Sequence, residues 1–182
     1  SYKYEGRCIE QADYNGLKIV MLTNGRKDIT ELIYIDEKTA VVHKTRVEYD
    51  KRHLPLKVFK GDGENETLVS SYFYTPEGKL SAEIVHGNES WIKKYEYRNG
   101  LISEMKQFSV SENLSNCNNL QTILNKAGEK NFVLKYEYQN LNDNRKLVSV
   151  TDGLGIRNLF EYDASGNLIK STDGNGVARQ NV

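Results

Sequence analysis

The stretch Asn158-Leu-Phe-Glu-Tyr-Asp-Ala-Ser-Gly-Asn-Leu-Ile-Lys-Ser-Thr-Asp-Gly-Asn-Gly176 has the pattern of a strand, a turn, a second strand and a second turn. Phe160 and Tyr162 are two residues apart, so they share one face of the incoming strand. In the turn, Asp163 suits the first position of a type I turn because its carboxylate accepts backbone hydrogen bonds. Gly166 suits the fourth position because glycine adopts a positive φ without a Cβ clash. The stretch therefore predicts a β-hairpin.

The same unit recurs along the chain. Aligned on the second aromatic residue of each Tyr-x-Tyr or related pair, the copies are spaced by 25, 23, 41 and 24 residues. Three of these four intervals agree on a period near 24, and the long one indicates an insertion. Gly78 and Gly100 occupy turns equivalent to that of Gly166, whereas the first copy has His53 at this position. The aligned residues are Tyr49, Tyr74, Tyr97, Tyr138 and Tyr162.

This repetition predicts an all-β protein of antiparallel hairpins that form a continuous curved sheet or strip. We expect irregular β-hairpins in residues 1–46 and the hairpin array in residues 47–182, with an insert at 109–131, all as one continuous domain. The chain begins at Ser1 rather than Met and stops at Val182 just after a turn, so we expect a fragment of a longer chain.

The insert has the pattern of a short amphipathic helix near residues 117–127. Leu120, Ile123, Leu124 and Ala127 recur at helical spacing, and Gly128 follows in the position of a C-terminal cap. Two interpretations are open. The helix covers an exposed part of the sheet, which we favour because sheet edges must be protected, or it is a functional protrusion.

The charge and cysteine content of the chain limit the kinds of partner and cross-link that we expect. The 25 Lys and Arg residues balance the 25 Asp and Glu residues, so we expect no nucleic-acid partner and no anionic membrane partner. No apolar run reaches the length of a membrane span. Cys8 and Cys117 could form one disulfide or remain two free thiols.

The sequence shows no pattern typical of an enzyme. Its three histidines, His43, His53 and His86, lack the spacing of metal ligands, and no nucleophile elbow, phosphate-binding loop or paired-cysteine motif occurs. We predict no catalysis, no metal and no cofactor. The repeated tyrosines have two interpretations: cross-strand packing, which we favour, or stacking on sugar rings along a groove. The candidate stacking residues are Tyr74, Tyr97, Tyr138 and Tyr162.

The residues Phe160-Glu-Tyr162-Asp163-x-x-Gly166-x-Leu168, followed by Thr172-Asp-Gly-x-Gly176, closely resemble the YD repeat of the RHS proteins. In RHS proteins, long arrays of these hairpins coil into a hollow β-shell. The resemblance therefore implies that this chain is part of such a shell. The shell encloses a toxic domain in bacterial polymorphic toxins and insecticidal toxin complexes, and the related teneurins display it at the cell surface. The self-cleaving segment of the family, which starts with Asp-Pro, has no counterpart here.

Three hypotheses follow from the pattern and the resemblance. The first is a non-enzymatic segment of a bacterial β-shell, secreted or at the cell surface, that encloses or presents a toxin or effector domain and whose partners are other segments of its own parent chain. The second is an adhesin-like module that binds carbohydrate or protein. The third is a small antitoxin or surface lipoprotein built of glycine-turn hairpins.

Overall fold

The computed structural model describes residues 2–5, 8–14, 16–62, 64–112, 114, 116–128, 130–141 and 144–180. These residues contain fifteen strands and one helix, α1 (Leu120–Lys126). The strands are β1 (Tyr2–Glu5), β2 (Cys8–Tyr14), β3 (Leu17–Thr23), β4 (Ile29–Asp36), β5 (Val41–Tyr49), β6 (Pro55–Gly61), β7 (Glu66–Tyr74), β8 (Leu80–Val85), β9 (Ser90–Arg98), β10 (Leu101–Val110), β11 (Lys130–Leu141), β12 (Asn144–Asp152), β13 (Arg157–Tyr162), β14 (Leu168–Thr172) and β15 (Ala178–Gln180).

The chain forms two compact units. The first comprises Ser1–Ser90 and Ser111–Asn125, and the second comprises Trp91–Val110 and Lys126–Val182. Within each unit the strands follow one another in sequence order, each hydrogen-bonded to the next. The pairings described are antiparallel throughout. The predicted all-β fold of antiparallel hairpins with one short helix is therefore confirmed.

Most hairpins contain a β-bulge beside the second aromatic residue. In the reference hairpin Glu161 faces Lys170, but Tyr162 faces Leu168, so Ile169 is the extra residue. The register shifts in the same way at Tyr49, at Tyr74 and at Tyr138. A bulge bends its strand and increases the local twist, so one bend recurs at the same place in hairpin after hairpin.

Six turns share one geometry. In each, two backbone hydrogen bonds of 2.8–3.2 Å close a five-residue loop, and the side chain of the first residue accepts a bond from the fifth N–H at 2.8–3.3 Å. The fourth residue has a positive φ of 65–84°. These turns are Asn24–Asp28, Asp50–Leu54, Thr75–Lys79, Asp152–Ile156, Asp163–Asn167 and Asp173–Val177.

A cover lies on the last strands of the first unit. Ala82 and Ile84 share one face of β8 and are completely buried, as are Leu114 and Ile123 of the Ser111–Asn125 segment. A single sheet layer leaves both faces open to solvent, so complete burial on β8 requires a second layer. The segment belongs to the same unit and supplies that layer, held by the bond from Ser90 Oγ to the carbonyl of Glu112 at 3.2 Å.

Candidate functional site

The tyrosine hydroxyls connect successive hairpins. Tyr49 Oη donates to the carbonyl of Ile29 at 2.8 Å, and Tyr74 Oη donates to the carbonyl of Pro55 at 2.8 Å. In the second unit, Tyr162 Oη donates to the carbonyl of Leu147 at 2.9 Å. Each bond reaches a strand of the preceding hairpin.

The acceptors of these bonds are equivalent residues. Pro55 is the residue that faces Tyr49 across its bulge, and it accepts the bond from the next tyrosine, Tyr74. Leu147 faces Tyr138 in the same way and accepts the bond from Tyr162. In these two cases the residue that faces one tyrosine accepts the hydroxyl of the tyrosine that follows.

Two of the four candidate stacking tyrosines thus use their hydroxyls inside the fold, namely Tyr74 and Tyr162. Tyr97 lies on β9 and Tyr138 on β11, both in the second unit. Within the described part of the chain, Tyr138 Oη has no hydrogen-bond partner. Burial, with a smaller contribution from Tyr136, raises the pKa of the Tyr138 hydroxyl above its usual value, so this hydroxyl remains protonated at neutral pH.

Tyr138 lines a cavity of about 420 Å³ in the second unit. One wall is the tip of the β9–β10 hairpin, where Asn99 and Gly100 both have positive φ, as a type I′ turn requires. The opposite wall consists of β11 and the start of β12, including Arg145. An Arg145 guanidinium N–H donates to the carbonyl of Asn99, and this bond joins the two walls at the rim.

The predicted turn glycines lie in three hairpins. Gly78 and Gly166 occupy the fourth position of their five-residue turns, with φ of 83° and 82°, whereas Gly100 lies in the shorter β9–β10 turn with φ of 85°. Asp163 caps its turn by accepting the Asn167 N–H at 2.8 Å, and bonds from Asn167 lower the pKa of the Asp163 carboxyl. These residues shape the backbone of their own turns.

Arginines join consecutive turns in the first unit. Arg26 donates to the carbonyl of Lys51 at 2.8 Å, and Arg52 donates to the carbonyls of Thr75 and Pro76 at 3.0 and 3.1 Å. Each arginine is the third residue of its own turn and reaches the turn that follows. The turns therefore form a connected row along one side of the unit.

His53 adds a hydrogen bond to that row. Its Nδ1 lies 2.8 Å from a carboxylate oxygen of Asp28, although its backbone has a φ of 65° in a position that favours glycine. Hydrogen bonds from Asn24 and then from His53 lower the pKa of Asp28. The presence of His53 instead of glycine at this position thus introduces local backbone strain but adds a contact between two turns.

The two faces of the sheet differ in chemistry. In the first unit, Lys44 bridges Glu31 and Glu66 at 3.1 Å each, and Arg46 contacts Glu66 and Glu48 at 2.6 and 2.7 Å. In the second unit Glu137 pairs with Arg157 and accepts a bond from buried Ser149. Because neighbouring residues in a strand point to opposite faces, the tyrosines that flank Glu137 lie on the other face.

Of the glycines in the Thr-Asp-Gly turns, Gly174 permits close packing between turns, whereas a Cβ on Gly153 would make only an ordinary contact. A Cβ on Gly174 would lie 2.0 Å from Ile156 Cγ2, and a Cβ on Gly153 would lie 3.8 Å from Val133 Cβ. In each case the apolar residue belongs to an earlier hairpin of the second unit. Gly174 is therefore required for space, whereas Gly176 is required for its φ of 82°.

His86 is an unusual polar residue directly after β8. Its Nε2 lies 2.8 Å from Ser71 Oγ, while its buried Nδ1 has no hydrogen-bond partner in the described part of the chain. Burial, followed by the nearby charge of Lys57, lowers the pKa of this imidazole. His86 is therefore held in its neutral form.

The sequence patterns did not identify the Asn24 turn as a copy of the repeat, because Lys27 stands where four of the other five turns have glycine. The pairing of Asn24 with Asp28 four residues later was the available signal. Cys117 has a free thiol. Within the described residues, no group of three or more His, Cys, Asp or Glu side chains could hold a metal ion, and no helix has the length and apolar character needed to cross a membrane.

Comparison with known proteins identifies both the repeat and the fold. The sequence model of the RHS Repeat family matches residues 142–178. A Photorhabdus luminescens Tc holotoxin pore, mutated in TccC3, aligns over 96% of this chain with 13% identity and a TM-score of 0.62. The structure of TcdB2-TccC3 aligns over 86% with 16% identity and a TM-score of 0.59. This chain spans 8% and 7% of those two chains. No curated protein matches it.

Proposed function

From the RHS repeat that this chain contains at residues 142–178, we propose that it is a wall segment of a β-shell in a bacterial protein of the RHS type. The shell encloses or presents a toxin or effector domain of its parent chain and acts outside the cytoplasm of the producing cell. The segment itself is not an enzyme. Its partners are the other segments of the parent chain.

The connection between hairpins is the observation that carries this proposal. Tyrosine hydroxyls bond the preceding hairpin, and arginines bond the following turn. A wall must resist opening between neighbouring strands, and the main-chain ladder alone provides one kind of bond. Side-chain hydrogen bonds at the ends of the strands add a second, independent set of bonds. This second set helps neighbouring strands to resist separation.

The thinness of the sheet supports the same role. Among the described residues only six apolar side chains are buried, and four of them belong to β8 and its cover. A sheet with so little core is marginal as an isolated domain but is suited to a structure in which further segments of the same protein complete the packing. The mechanism is steric, because a closed wall denies access to what lies inside.

The test uses the full parent chain with one protease recognition sequence placed at two alternative positions. In the first variant the sequence is inserted in the enclosed C-terminal domain. In the matched control it is inserted in the turn beside Leu154, whose side chain is 88% exposed. We expect rapid cleavage in the turn and protection of the enclosed domain until the protein is unfolded. Equal cleavage rates at the two positions would refute the proposal.

A further inference from the structure

We propose that the cavity beside Tyr138 binds a sugar that carries a carboxylate group, such as a hexuronic or sialic acid. The proposal rests on the residues around this cavity and does not depend on the shell function. Its volume of about 420 Å³ falls in the range of roughly 300–1,000 Å³ that is usual for small-molecule sites.

The cavity lies where the repeat pattern of hydrogen bonds is broken. Tyr49, Tyr74 and Tyr162 each donate to a carbonyl of the preceding hairpin. Before Tyr138 the helical insert separates β10 from β11, so the spacing from Tyr97 to Tyr138 is 41 residues. In the described part of the chain Tyr138 Oη has no acceptor. The cavity therefore contains a half-buried hydroxyl available to a ligand.

The charges at the rim favour an anionic group. Arg98 and Arg145 both line the cavity, and Arg98 has no ion-pair partner among the described residues. One guanidinium N–H of Arg145 donates to the carbonyl of Asn99. This bond orients the planar guanidinium group and leaves its other N–H donors available. The remaining charged residue, Glu137, is engaged by Arg157 and Ser149. A carboxylate at this rim would face two guanidinium groups, the geometry that arginine recognises best.

The walls favour a ring that carries hydroxyl groups. Tyr136 and Tyr138 are two residues apart on β11 and share one face of the strand, so their rings form an amphipathic surface for the apolar face of a sugar. The Tyr138 hydroxyl and the Asn140 amide both donate and accept hydrogen bonds. An acidic amino-acid side chain would satisfy the arginines but would leave these neutral polar groups unused.

The experiment is calorimetric titration of the full chain with glucuronate and with N-acetylneuraminate, compared with glucose, glutamate and inorganic phosphate. We expect saturable binding of at least one acidic sugar and weaker binding of all three comparison ligands. Arg98→Gln removes a charged donor that supports no other described contact, and Tyr138→Phe removes only a hydroxyl. Each should weaken binding by about tenfold or more.

Tyr162→Phe is the matched control, because its hydroxyl is bonded to Leu147 and it does not line this cavity. We expect its affinity for the acidic sugar to equal that of the wild type. Absence of binding to both acidic sugars would overturn the proposal, as would equal affinity for glutamate, phosphate or glucose. Unchanged affinity in both Arg98→Gln and Tyr138→Phe would also overturn it.

Discussion

Tyr162 Oη lies 2.9 Å from the carbonyl oxygen of Leu147, which is the residue that faces Tyr138 across the bulge of the preceding hairpin. One residue thus connects two tyrosines that are 24 positions apart in the sequence. The same relationship joins Tyr49, Pro55 and Tyr74 in the first unit. The period of the sequence is therefore a period of hydrogen bonding as well as of strands and turns.

Tyr162→Phe should lower the free energy of unfolding by about 1 kcal/mol, because the Leu147 carbonyl loses its donor. Tyr138→Phe should change it by less than roughly 0.5 kcal/mol, as expected for a hydroxyl that supports no internal bond. Urea unfolding of the two variants, followed by circular dichroism, measures both values. Equal losses in the two variants would contradict the proposed difference between these tyrosines.

Gly174→Ala should destabilise the second unit by about 1–3 kcal/mol through overpacking, because the new Cβ would lie 2.0 Å from Ile156 Cγ2. Most of this cost should disappear when Ile156→Ala is already present. Thermal unfolding of the two single variants and the double variant gives the coupling energy.

Gly176→Ala is the control for that cycle. Its φ is 82° and a Cβ there would meet no atom within 4 Å, so we expect a loss of about 1–2 kcal/mol from backbone strain alone. Ile156→Ala should not reduce this loss. Rescue of Gly176→Ala by Ile156→Ala would show that the two glycines do not have the separate roles assigned to them.

Local chemistry explains why the fold could be predicted from the sequence. Pairs of aromatic residues two positions apart indicate the alternation of a strand. Glycines such as Gly78 and Gly166 indicate positive φ in a turn. Each of these signals depends on only a few adjacent residues. The Asn24 turn was not recognised as a copy of the repeat because Lys27, like His53 in the next turn, occupies a positive-φ position that sequence patterns assign to glycine. At those positions the remaining turn hydrogen bonds outweigh the strain.

The candidate site could be predicted only in part. Tyrosines were expected either to pack or to bind, and the difference between Tyr138 and Tyr162 depends on which carbonyl lies within reach of each hydroxyl. That distance depends on how far β10 and β11 stay paired, and the described pairing extends toward the hairpin tips only as far as Glu104 and Lys135. The cavity and the contact of Arg145 with Asn99 bring together residues 46 positions apart in the sequence, so no local pattern predicts them.

The Asp28 carboxylate should make the first unit sensitive to acid. Its pKa is lowered in the fold by Asn24 and then by His53, so its stabilising contribution is complete above the unfolded pKa of about 3.9. That contribution is lost as the pH falls from there through the lower folded pKa. Asp28→Asn should therefore show a smaller decrease of stability with falling pH over this window, measured by urea unfolding at each pH.

Two further variants separate the causes of this shift. Asn24→Ala and His53→Gln should each reduce the acid slope, since a hydrogen bond from Asn24, and both a hydrogen bond from His53 and its charge, lower the pKa of Asp28. The slope is compared rather than the stability at one pH, because Asn24 also caps its turn through the Asp28 N–H. An unchanged slope in either variant would show that its side chain does not lower the pKa of Asp28.

His86 should make the cover of the first unit sensitive to pH in a higher range. Its folded pKa is lowered by burial and by Lys57, so protons bind more readily to the unfolded chain. The contribution of neutral His86 is complete above the unfolded pKa of about 6.5 and is lost as the pH falls toward the folded pKa. Amide hydrogen exchange of α1 should accelerate over this window, since the charged ring would be left with a buried Nδ1–H that has no described partner.

The substitution His86→Gln tests this account, because an amide can keep a hydrogen bond to Ser71 Oγ but does not titrate. Exchange of α1 in this variant should depend on pH only through the intrinsic chemistry of exchange. Ile123→Ala provides the comparison: deletion of a completely buried side chain should cost about 2–5 kcal/mol and accelerate exchange at every pH. If His86→Gln retains the acid-dependent opening of the wild type, the group responsible for it lies elsewhere on the cover.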